Sequence, residues 1–226
     1  FETSLRIGQE LGDAVKIAWS LGNFGSSNLC FGNLDSAVPL LLSAKDIFEN
    51  IKASMGVISC LEELSLIALL EGALDRAVEL ADQAIDLVDN TGLYLYLYQR
   101  ATALKGLTLI MTGNPDQGLT YFQKIEKTGP LGFTALMGMG FIAILNQNVS
   151  SAAFYEKKAS NFADSVNKPQ LITLLNLLQA AVFSLKGEKT AAGEKLGRAM
   201  KHPLCPKALF DTWEFVPKLV SQIRSY

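Results

Sequence analysis

Five short turns recur along the chain at nearly constant spacing, and no other feature restricts its fold as tightly. FGNLDSAV begins at Phe31, EGALDRAV at Glu71, TGNPDQGL at Thr112, NQNVSSAA at Asn146 and KGEKTAAG at Lys186. Their second residues are Gly32, Gly72, Gly113, Gln147 and Gly187, at intervals of 40, 41, 34 and 40 residues. Glycine there accepts the left-handed conformation that ends a helix. A period of this length marks stacked supersecondary units, each burying its apolar face on the next.

Aligning the turns brings three columns of small residues into register. Twelve residues before the turn alanine stand Gly25, Ser65, Gly106, Gly140 and Ala180. The turn column itself is Ala37, Ala77, Gly118, Ala152 and Ala192, and seven residues later come Ala44, Ala84, Ile125, Ala159 and Ala199. Two antiparallel helices joined by a short turn approach closely only where side chains are small. Large apolar residues surround the columns at helical spacing, as Leu61, Leu64 and Ala68 do in the second unit.

This pattern resembles the tetratricopeptide repeat, and the resemblance covers the chain from Asp13 to about Leu204. The family's aromatic four residues after the turn alanine is kept as Phe122 and replaced by Leu41, Ala81, Glu156 and Leu196. Its helix-one tryptophan is missing, and its closing proline survives loosely as Pro130. A spacing near 40 adds about 9 Å of helix per unit over the usual 34 residues. Such long repeats are similar to those of large bacterial transcriptional activators of the maltose-regulator type and of kinesin light chains. The resemblance implies an all-α, right-handed α-solenoid of antiparallel helix pairs. Residues 1–12 are expected to form the second helix of a truncated preceding repeat, 13–204 five helix pairs, and 205–226 a capping helix bent or broken at Pro217. The 34-residue interval between Gly106 and Gly140 is expected to change the curvature.

Composition excludes several functions. The net charge is −2, without the basic stripe of a nucleic-acid binder. With 49% hydrophobic and 19% charged residues, the chain reads as folded throughout. The apolar runs Leu131 to Leu145 and Leu171 to Leu185 are too short to span a bilayer and fall inside the repeat. Cys30, Cys60 and Cys205 form no CxxC, so reduced thiols and a cytoplasmic setting are expected. His202 and Cys205 are two ligands at most, and no metal or other cofactor is expected. No nucleophile elbow, phosphate loop or zinc helix motif appears, and an enzyme is not expected.

The expected function is therefore binding. In the resembling family, first helices line a concave groove that holds ligands. The matching positions here are Trp19 and Asn23, then Glu62 and Glu63, then Tyr96, Gln99 and Arg100, and finally Met137, Phe141, Leu174, Leu177 and Leu178. The early positions offer polar groups and the later ones apolar surface. Two alternatives stand for the later residues: a partner stripe, or side chains packed against neighbouring helices by tight curvature. Arg100 pairing with Glu62 and Glu63 is the corresponding alternative for the earlier ones. The partner is expected to be a protein or peptide, or another domain of the same polypeptide in a larger regulatory protein. The alternative is an effector-sensing arm of a bacterial transcriptional regulator that takes a small ligand. Self-association through Tyr94, Tyr96 and Tyr98 is a third reading.

Overall fold

A computed structural model describes residues 2–91, 95–127, 129–163, 169–202 and 205–224. Thirteen helices and no strand occur among them. A first helix, α1 (Glu2–Leu11), packs on α2 (Ala14–Cys30). Five hairpins of adjacent helices follow: α2 with α3 (Leu34–Asn50), α4 (Ser54–Leu70) with α5 (Leu74–Thr91), α6 (Leu95–Met111) with α7 (Pro115–Glu126), α8 (Phe133–Leu145) with α9 (Val149–Phe162), and α10 (Pro169–Leu185) with α11 (Lys189–Lys201). Two short helices, α12 (Lys207–Thr212) and α13 (Phe215–Arg224), close the described chain.

The recurring turns share one backbone hand. Gly32, Gly72, Gly113 and Gly187 have φ of 79°, 75°, 83° and 76°, and Gln147 adopts the same hand at 56°. The following amide returns to the carbonyl five residues earlier in every case: Asn33 to Leu-preceding Asn28, Ala73 to Ala68, Asn114 to Leu109, Asn148 to Ala143 and Glu188 to Phe183, at 2.8–2.9 Å. This closes carbonyls that the helix end would leave open. Gln147 lacks glycine's freedom and holds that conformation at a cost of about 1–2 kcal/mol.

The three small columns meet inside the hairpins, and every member is buried. A methyl group at Gly106 would lie 3.2 Å from the Gly118 carbonyl, and one at Gly118 2.7 Å from the Gly106 carbonyl. Ser65 uses its place in the column to donate to the Ala77 carbonyl at 2.7 Å. Bulk at these points would separate the helices. The second and third first-helices, α4 and α6, span 17 residues each; the shortened interval coincides with α7 at 12 residues and α8 at 13.

First helices contact first helices along the stack: α2 meets α4, α4 meets α6, α6 meets α8 and α8 meets α10. They form the inner row and are buried almost all round in α4, α6 and α8. The second helices keep an exposed outer face. The row curls far enough for Gln170, at the start of α10, to donate to the Leu29 carbonyl near the end of α2 at 2.5 Å. That bond joins the first hairpin to the fifth across 141 residues.

The C-terminal segment departs from the sequence expectation. The break falls at Trp213–Glu214, where Trp213 is extended (ψ 104°), and not at Pro217. Pro217 stands in the first turn of α13, where a missing N–H breaks no helical bond. α13 lies on α10 and α11, while α12 reaches across to α4. No helix among the described residues is long and apolar enough to cross a membrane.

Candidate functional site

The inner row divides the expected groove residues into two groups. Met137, Phe141 and Leu174 have no exposed surface, and Leu177 and Leu178 are equally buried. The apolar stripe expected in the later repeats is thus packed inside the stack. Curvature presses Leu178 onto Gly140, where a methyl would stand 2.9 Å from its Cδ2. The C-terminal segment covers Phe141, whose ring meets Trp213 edge-on at 4.9 Å and Phe215 at 5.7 Å. These later residues present no surface to a partner.

The early group behaves differently. Trp19, Asn23, Glu63 and Arg100 line one recess of about 150 Å³ between α2, α4 and α6. Trp19 is half-buried and meets the buried Phe48 ring edge-on at 4.9 Å, so its indole is held in one orientation. Asn23 is exposed one turn further along the same helix. Ser26, Ser59 and Cys60 complete the polar lining.

Arg100 fixes the acidic side. Its Nη2 lies 3.1 Å from Oε2 of Glu62 and 3.9 Å from Oε1 of Glu63. Glu62 is 4% exposed and Glu63 8%. Two carboxylates at this depth need a cation, because an isolated buried charge costs several kcal/mol. Arg100 remains about a third exposed and lies over the exposed Tyr96 ring at 5.5 Å. Gln99 is half-buried with its amide nitrogen against Gly129, and neither it nor Tyr96 nor Glu62 lines the recess. Tyr98 is packed against the core, and Tyr94 lies outside the described residues.

Cys60 carries no nucleophile here. Burial, followed by the neighbouring Glu63 charge, raises its thiol from 9.0 to about 12. The thiolate is the reactive form, and at neutral pH it is essentially absent. A pKa raised on folding contributes stability that is complete below pH 9 and lost as pH rises toward 12. The stability of the parent chain relative to Cys60→Ala should therefore shrink between pH 8 and pH 10.5 in paired urea melts. A constant gap would mean that the thiol is not desolvated in the folded chain.

No protein-family model matches the chain, and no curated protein matches it. The sequence missed Ser26 and Ser59 as lining residues, since serine in a helix carries no signal of its own. It also missed Gln170, whose partner lies 141 residues away. No group of three or more metal-ligating side chains occurs among the described residues.

Proposed function

We propose that this chain is a non-catalytic interaction module: a right-handed tetratricopeptide-type superhelix, part of a larger cytoplasmic regulatory or signalling protein. Its inner-face recess takes a side chain of a protein or peptide partner. The observation that carries this reading is the recess between α2, α4 and α6, with an oriented indole on one wall and a carboxylate–guanidinium cluster on the other.

Size favours a protein partner over the alternative of a small effector. Sites for whole drug-sized ligands run to about 300–1,000 Å³. A recess of about 150 Å³ fits one side chain. We take that side chain to be basic, because Glu63 lines the recess. Trp19 supplies a flat apolar wall along which the stem of a lysine or arginine lies.

Selection of displayed random peptides on the immobilised chain tests this. The enriched peptides should share a basic residue, and Glu63→Gln should abolish their enrichment. A consensus without a basic residue, or one indifferent to Glu63→Gln, would remove the recess as the binding surface. A metabolite that raises the melting temperature of the parent but not of Asn23→Ala would favour the effector-sensing reading instead.

A further inference from the structure

The net charge of −2 conceals a division along the stack. Residues 1–91, from α1 to the end of α5, hold 14 acidic and 5 basic side chains, a balance of −9. Residues 92–226 hold 8 acidic and 15 basic, a balance of +7. Two such halves give one molecule two surfaces of opposite field.

The division is sharpest on two of the outer helices. On α5, Asp75, Glu79, Asp82 and Asp86 recur at intervals of four, three and four residues. That spacing sets them on one helical face about 16 Å long. All but Asp82 are exposed. Arg76 pairs with Glu79 at 2.8 Å, and Lys105 pairs with Asp82.

The opposite sign collects on α11 and on α9 of the hairpin before it. Lys195, Arg198 and Lys201 lie along α11, and Lys157 and Lys158 are exposed on α9. Arg198 and Lys201 line an open trough of about 620 Å³ with Gly193, Glu194 and Gly197. Its floor is low, since a methyl on Gly197 would meet nothing within 4 Å. The last turn of a helix favours cations, which accounts in part for Arg198 and Lys201. It does not account for Lys157 and Lys158, which precede the last turn of α9. No ion pair among the described residues engages Asp75, Asp86, Arg198 or Lys201. Opposite charges left uncompensated on separate faces steer two molecules together and fix which faces meet.

We propose that the chain self-associates by docking the acidic face of α5 on the basic trough of α11 in a second copy. A second copy is the occupant because the chain itself carries the complement in both charge and shape. The carboxylates of α5 lie along one side of an exposed helix, and the trough runs along α11. The faces belong to different hairpins, so the contact is heterologous. Exposed ion pairs contribute little singly and are screened by salt, so the contact is weak and salt-dependent. It lies on the outer helices and stands whether or not the inner recess at Trp19 binds.

Sedimentation of the whole chain tests the proposal. At about 50 mM salt the average mass should rise with protein concentration, and at about 500 mM the association constant should fall at least tenfold. Glu79→Lys with Asp86→Lys reverses the acidic face, and Arg198→Glu with Lys201→Glu reverses the basic one. All four positions are exposed, so both variants should melt like the parent. If either reversal lowers the melting temperature, the neutral Asp86→Asn and Lys201→Gln take their place, and each should weaken association. Each reversed variant alone should stay monomeric, and an equimolar mixture of the two should regain the association of the parent. A parent that is monomeric at low salt, variants that associate like the parent, or a mixture that stays monomeric would each overturn the proposal. A monomeric parent that binds polyglutamate, with that binding lost on reversing Arg198 and Lys201, would give the trough to another acidic partner and overturn the second copy.

Discussion

Replacing Phe122 by alanine should cost about 3–5 kcal/mol in urea unfolding, the largest single loss expected in this chain. The Phe122 ring is fully buried between two first helices. Both present glycine to it: a methyl at Gly106 would stand 2.7 Å from Cε1, and one at Gly138 2.2 Å from Cζ. The ring fills a hole that the glycines leave, and its loss opens a cavity that α6, α7 and α8 all line. The reverse substitution makes the same point. Alanine normally gains about 0.5–1 kcal/mol over glycine inside a helix. Gly138→Ala should instead destabilise by about 1–3 kcal/mol, because the methyl overlaps the ring. Phe122→Leu combined with Gly138→Ala should recover part of that loss, and full additivity of the two would show that they do not touch.

The second large effect is expected at Arg100. Arg100→Met removes the guanidinium from two carboxylates that are almost wholly buried. Deleting one partner of a buried ion pair typically costs about 3–5 kcal/mol. Arg100 is about a third exposed, and solvent screening lowers the expectation to about 2 kcal/mol. Glu62→Gln in the Arg100→Met background should restore much of it, since the neutral amide needs no cation. If Arg100→Met melts like the parent, the cluster is a solvated surface pair and does not shape the recess.

The hairpins were legible because close packing writes itself into residue size. Glycine and alanine at fixed offsets from each turn mark where backbones touch, and the left-handed turn demands glycine at four of its five occurrences. Gln147 breaks that rule and keeps the geometry, because the Asn148 amide still reaches the Ala143 carbonyl at 2.8 Å. The pairing of Arg100 with Glu62 and Glu63 was legible for a related reason. Adjacent acidic residues in an apolar helix need a cation, and Arg100 follows one unit later.

The fate of the later groove was not legible. Whether Met137, Phe141 and Leu174 face a cleft or a neighbour depends on how tightly the stack curls. That curl brings Gln170 to Leu29, a contact that leaves no local trace in the sequence. The amphipathic pattern of Phe210, Trp213 and Val216 showed that the last segment buries a face, but periodicity does not say against what. Pro217 misled for a local reason: proline breaks a helix interior but is neutral in a first turn, and the helix start lay two residues before it.

The most direct test of the recess as the binding surface uses its own indole. The chain has two tryptophans, so Trp213→Phe leaves Trp19 as the sole tryptophan, excited selectively at the red edge of its absorption. Titration with a peptide enriched by the parent chain should shift Trp19 emission saturably, and Asn23→Ala should raise the dissociation constant at least tenfold. Binding that leaves Trp19 emission unchanged and is indifferent to Asn23→Ala would contradict the assignment.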